Sequence, residues 1–126
     1  FFFKASSMIT STAGDLNKEH LMSIADDDVE FLEELWECFE EEYQKSYSDL
    51  KTAAEGKDKA SATLNSHNIK SGSANLGAEK VQDIASGLEV AAKKEDYDTI
   101  LESLSSLQSA YESLATTFTQ WIESMK

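Results

Sequence analysis

The sequence predicts an all-α fold, an antiparallel up-down-up-down four-helix bundle with a short extra N-terminal helix. Three observations predict it. Apolar residues recur at spacings of three and four, the mark of a helix with one buried face. Aspartates and glycines stand where the pattern would start or stop, matching helix caps. The 126 residues include no proline and only 5 glycines, too few turn formers for an all-β chain.

The elements follow in order. Residues 1–14 are expected to form a poorly ordered edge, small and polar after three phenylalanines and ending at Gly14. The start at Phe1 rather than Met is expected to be a cut from a longer chain. From residue 15 to 126 the chain reads as the bundle. Asp15 is expected to cap a short helix holding Leu16, Leu21 and Ile24, lying over the bundle as a lid. Asp26-Asp27-Asp28 offers an N-cap and a negative first turn, favourable at the positive end of a helix dipole.

The long helix that follows carries Leu32, Leu35, Trp36, Phe39, Tyr43, Leu50 and Ala53 on one face. Gly56 suits the left-handed position after it. Asp58 opens a helix that runs to about Leu76 and stops at Gly77. The next holds Val81, Ile84, Ala85, Leu88, Ala91 and Ala92. Asp96 opens the last, with Ile100, Leu101, Leu104, Leu107, Tyr111, Leu114, Phe118 and Ile122 in step. The short connections make successive helices antiparallel.

Charge narrows the function. Lysine supplies all 11 basic residues against 24 acids, a net charge of -13. Such a chain repels phosphate backbones and anionic lipid heads, which argues against nucleic-acid and electrostatic membrane binding. No apolar run is long enough to span a bilayer. A lone cysteine, Cys38, forms no internal disulfide, so a reducing, cytoplasmic setting is expected. Cys38 itself reads as a small apolar residue whose acidic neighbours disfavour a thiolate. The ten acids between Asp26 and Glu42 read as a solvated face, and the aromatics as core. A di-metal carboxylate bundle needs a Glu three residues before each histidine. Leu64 precedes His67 and Asn17 precedes His20, so no metal site is expected. His20 has no informative context.

The informative stretch is Ser66-His67-Asn68-Ile69-Lys70-Ser71-Gly72-Ser73-Ala74-Asn75-Leu76-Gly77. On a helix, Ala62, Ser66, Ser73 and Leu76 fall within about 60° of Ile69, on the core side. His67 falls about 160° away and points to solvent. Leu64, Lys70 and Ser71 are its surface neighbours. A mid-helix glycine costs roughly 1 kcal/mol against alanine. Gly72 and its small neighbours, Ala74 among them, therefore point either to close helix packing or to room for a macromolecule near His67. Leu64 beside the histidine would give such a partner an apolar contact.

These residues resemble the histidine-containing phosphotransfer family of two-component phosphorelays. The family pattern falls on His67, Ile69, Lys70, Ser71, Gly72, Leu76 and Gly77, and its architecture on residue 16 to the end. One position departs: the family usually has glycine directly after the lysine, where Ser71 stands. Its hydroxymethyl group narrows the space beside His67, and its hydroxyl is able to donate to a phosphoryl oxygen.

The resemblance implies that His67 is phosphorylated through Nε2 by a receiver-domain aspartate, or by a kinase, and passes the group to another receiver. An imidazole of ordinary pKa, about 6.5, is mostly neutral at pH 7. Lys70 would neutralise the phosphoryl group, and Leu64, Ser71, Gly72 and Ala74 would shape the docking surface. The returning helix brings Ser86, Glu89 and Lys93 opposite His67. Glu89 would hold Nδ1–H, and Lys93 would steer an acidic partner. The resemblance implies no cofactor of the chain's own and Mg²⁺ on the partner receiver. The chain carries no ATP-binding glycine loop, so kinase activity is not expected of it. Partners would be response-regulator receivers and an upstream histidine kinase, met by a monomer. Two other readings remain open: a module of a larger hybrid or chemotaxis-type kinase, and a binding-only bundle.

Overall fold

The computed structural model describes residues 8–126. Five helices follow one another: α1 (Lys18–Ala25), α2 (Val29–Glu55), α3 (Lys59–Leu76), α4 (Glu79–Lys93) and α5 (Tyr97–Met125). Helices α2 to α5 pack in a ring, each against its neighbours in sequence and α2 closing against α5. This is the expected four-helix bundle with a short N-terminal helix.

Three aspartates start helices as read from the sequence. The side chains of Asp28, Asp58 and Asp96 accept from the backbone N–H of Phe31, Ser61 and Thr99. Each satisfies an amide left without a partner in the first turn. Gly77 closes α3 in the left-handed region, at φ 77°. Two expectations about caps fail. Asn17, not Asp15, caps α1; Asp15 instead accepts from the Ser113 and Thr117 hydroxyls on α5. Gly56 has a right-handed backbone (φ -86°), and the left-handed residue is Lys57 (φ 54°). The backbone of Asp58 reaches back to Ala53 O at 2.8 Å, which sets that geometry regardless of side chain.

The core is contiguous from Leu21 to Ile122. Leu32, Leu50, Leu88, Ile100, Leu107 and Leu114 are fully enclosed, and Leu104 is buried. Ile24 and Leu101 depart from their expected places: 50% and 38% of each stays exposed. In α1 the buried pair is Leu21 and Ala25. Cys38 is exposed.

At about 1.5 Å per residue, α2 and α5 are each about 40 Å long and α3 and α4 about 22–27 Å. The long pair therefore outreaches the short pair. Ring stacking joins the long helices: Tyr43 lies on Tyr111 at 4.1 Å and 4° between planes, and Trp36 lies on Phe118 at 5.0 Å.

The α3–α4 pair is packed by smaller residues: Ala62, Ser66, Ser73, Ala78, Ala85 and Ala92 are all buried. Ser66 and Ser73 donate to the carbonyls of Ala62 and Ile69, so their burial strands no hydroxyl.

Helix α1 sits at the end where α3 turns into α4. Asn17 N donates to Gly77 O at 2.7 Å, and the His20 ring lies 3.0 Å from Asn75 O. His20, uninformative in the sequence, is thus part of the joint. Of the edge expected to be poorly ordered, residues 1–7 lie outside the described residues. Residues 8–14 carry no helix. Ile9 N donates to Ser103 Oγ and Lys80 N to Gly14 O, which ties this stretch to α5 and α4.

Candidate functional site

His67 stands in the middle of α3, and the same turn geometry that buries Ile69 turns it outward. Its side chain is 52% exposed. Leu64, one turn earlier, is 58% exposed. The short loop at Gly77 returns the chain antiparallel, so Glu89 on α4 comes to lie against His67. Glu89 is the centre of the arrangement. Its side chain is only 10% exposed, and its carboxylate meets three partners. Oε2 lies 3.0 Å from His67 Nδ1, and Oε1 accepts from Lys70 Nζ at 2.9 Å. Lys93 Nζ, one turn along α4, lies 3.7 Å from Oε2.

The hydrogen bond from Lys70 holds the Glu89 carboxyl below the usual carboxylate range, helped by His67 and by the two lysine charges, against the opposing effect of burial. An ionised carboxylate only accepts. The proton of the His67–Glu89 bond therefore sits on Nδ1, which leaves the Nε2 lone pair of a neutral ring facing outward. The Ser71 hydroxyl lies 3.3 Å from that Nε2. A fixed tautomer with an accessible nitrogen is a nucleophile held in one orientation.

The sequence-named residues separate into two groups. His67, Lys70, Ser71, Glu89 and Lys93 come together. Gly72 does not join them: it faces α2, where a Cβ added to it would lie 3.7 Å from the Phe39 ring. Gly72 lines a recess with Leu35, Cys38, Phe39, Asn75 and Leu76. Ala74 is half-buried two turns along α3 from His67. Ser86 lines a different hollow, with Lys70, Glu79, Gln82 and Asp83. Val90 was missed. It is 50% exposed beside Glu89, and the signal was available, since it falls off the apolar stripe of α4. Among the described residues, no group of three His, Cys, Asp or Glu side chains is placed to share a metal ion. No helix among them is long and apolar enough to cross a membrane.

Charge is divided along the chain. Residues 57–94 hold six lysines and four acids, whereas the rest hold five lysines and twenty acids. His67 therefore sits on the least negative part of a strongly acidic protein. A model of the Hpt domain family matches residues 34–117, from the first turns of α2 to near the end of α5. No curated protein and no solved structure matches the chain.

Proposed function

We propose, from the premise that this chain belongs to the histidine-containing phosphotransfer (Hpt) domain family, that it carries phosphoryl groups on His67 between receiver-domain aspartates. Phosphotransfer in phosphorelays is what the family implies. The direction, the partners and the roles of single residues are our reading. The observation that carries it is the Glu89–His67 contact at 3.0 Å with Nε2 left outward.

Nε2 attacks the phosphorus of an aspartyl phosphate in line. The P–O bond to the aspartate breaks, and the aspartate leaves as a carboxylate. The ring gains positive charge while Nδ1 keeps its proton, and the Glu89 carboxylate faces that charge across the shared hydrogen bond. The barrier is lowered by positioning and charge neutralisation, as in other phosphoryl transfers.

Lys70 is engaged at rest by Glu89 Oε1. Once His67 is phosphorylated, the phosphoryl oxygens compete for that ammonium. Lys93 is 62% exposed and acts mainly through long-range attraction. Leu64 and Val90 supply apolar area for the docked receiver. The near-neutral 57–94 stretch lets an acidic receiver face approach where the rest of the molecule repels it. Mg²⁺ belongs to the receiver in this scheme, the chain acts as a monomer, and the setting is the cytoplasm.

The test mixes a panel of phosphorylated receivers and Mg²⁺ with the wild type and with His67→Gln. Acid-labile, alkali-stable label on the wild type alone is expected. Label on both, or tight receiver binding with no label on either, would favour another site or a binding-only bundle.

A further inference from the structure

The three fully buried serines of these helices donate their hydroxyls to the backbone carbonyl four residues earlier, whereas the exposed Ser113 reaches another side chain. Ser66 reaches Ala62 O at 2.8 Å, Ser73 reaches Ile69 O at 2.6 Å, and Ser103 reaches Thr99 O at 2.6 Å. Such back-bonding is one common option for a helical serine. Ser71 stands in the same relation to His67, four residues on, yet its Oγ lies 3.3 Å from the imidazole Nε2. Glu89 holds the Nδ1 proton, so Nε2 is an acceptor and the Ser71 O–H is the donor. The hydroxyl is thus aimed at the lone pair that has to attack phosphorus.

We propose that Ser71 is a kinetic gate on His67: its hydroxyl occupies the Nε2 lone pair at rest and turns to a phosphoryl oxygen once Nε2 is phosphorylated. The inference rests on the carrier reading of His67 and assigns the control of its rates. At rest, the Ser71 hydrogen bond must break before Nε2 reaches phosphorus, which slows loading. After transfer Nε2 has no free lone pair. Phosphoryl oxygens then lie around the same point, and the hydroxyl donates to one of them, which slows loss of the group. The gate therefore slows both directions and extends the life of the loaded carrier. Rotation about χ1 of an exposed serine is all the movement required.

Phosphoramidate is a suitable probe, because it needs no protein donor. Nε2 attacks its phosphorus, the P–N bond breaks, and ammonia leaves with the protons the phosphoramidate nitrogen already carries. Nδ1 keeps its own proton. Wild type, Ser71→Ala, Ser71→Thr and His67→Gln are compared for rate of labelling, lifetime of the label and the ¹⁵N shift of Nε2 in the unphosphorylated protein.

Removing one such hydrogen bond is expected to speed labelling by about three- to tenfold and to shorten the lifetime by a similar factor. The Nε2 shift should move toward that of an unbonded lone pair, and Ser71→Thr should restore wild-type behaviour. A merely structural role for Ser71 would alter melting without accelerating both directions. Wild-type label with Ser71→Ala matching it in shift, rate and lifetime would overturn the gate and leave the carrier reading standing. Label equal on wild type and His67→Gln, or no label on the wild type, would overturn both.

Discussion

The α3–α4 half and the α2–α5 half of the bundle are built from different materials. Long helices, large stacked rings and an acidic exterior make up the second. Tyr43 on Tyr111 and Trp36 on Phe118 bury aromatic area along its seam. Tyr111 OH donates to Glu40 at 2.8 Å; burial, together with that carboxylate, raises the phenol to about 12. The first half is short, packed by alanines and serines, and nearly balanced in charge. It carries the buried Glu89 carboxylate to which His67, Lys70 and Lys93 are tied. Apolar burial supplies stability where the rings are. Small side chains sit between α3 and α4, where Glu89 on α4 reaches His67 and Lys70 on α3. The stacked rings and the candidate site thus sit on opposite sides of one core, and substitutions should separate stability from transfer.

The largest expected effect is complete. His67→Gln abolishes phosphoryl labelling from receivers, yet it costs only about 1 kcal/mol of stability, the loss of one hydrogen bond to the Glu89 carboxylate. Denaturant melts beside the labelling assay check both halves of that statement. The opposite substitution comes next. Phe118 is 2% exposed, so Phe118→Ala is expected to cost about 3–5 kcal/mol. Below its melting temperature, transfer through His67 should continue at the wild-type rate. Loss of transfer in folded Phe118→Ala would break the proposed separation.

Glu89→Gln tests the join between the halves of the site. A neutral amide no longer fixes the Nδ1–H tautomer and leaves Lys70 without its counterion. Transfer is expected to slow about ten- to hundredfold.

The same residue gives a pH dependence of known sign. The Glu89 carboxyl is held low in the folded protein, first by the Lys70 hydrogen bond. Its contribution to stability is therefore complete above the ordinary glutamate pKa of about 4.3 and is lost as pH falls through the folded value. The stability gap between wild type and Glu89→Gln should close on acidification, as read by urea melts across that range. A gap that widened with acid would contradict the geometry.

The smallest pair concerns two glycines. At Gly72 an added Cβ meets only ordinary contact with Phe39, so Gly72→Ala should stabilise by up to about 1 kcal/mol and leave transfer intact. At Gly77 the backbone is left-handed and a Cβ would lie 3.1 Å from Asn17 O. Gly77→Ala should therefore destabilise by about 1 kcal/mol or more. Thermal melts of the two variants are the check.

Much of this was legible in the residues. Asp28, Asp58 and Asp96 announce their helices because a short acceptor before an apolar stripe has a local purpose. The outward aim of His67 and the core side of Ser66, Ile69 and Ser73 follow from helical angles alone. Left-handed positions were harder. Asp26, Asp27, Lys57 and Glu95 all take positive φ, where local backbone hydrogen bonds such as Asp58 N to Ala53 O and Asp96 N to Ala91 O close the helix ends without glycine.

Gly72 and Ser71 are neighbours in sequence, but one residue of helix turns about 100°. Only Ser71 reaches His67. Asp15 and His20 acquire partners on α5 and α3 that no local pattern encodes.

The central claim is that Glu89 holds the proton on His67 Nδ1 and leaves Nε2 to take the phosphoryl group. Phosphorylating ¹⁵N-histidine-labelled protein and reading the phosphorus–nitrogen coupling by NMR tests it directly. Phosphorus on Nε2, with the Nδ1 proton retained and hydrogen-bonded, is the expected result. Phosphorus on Nδ1, or on a residue other than His67, would contradict it.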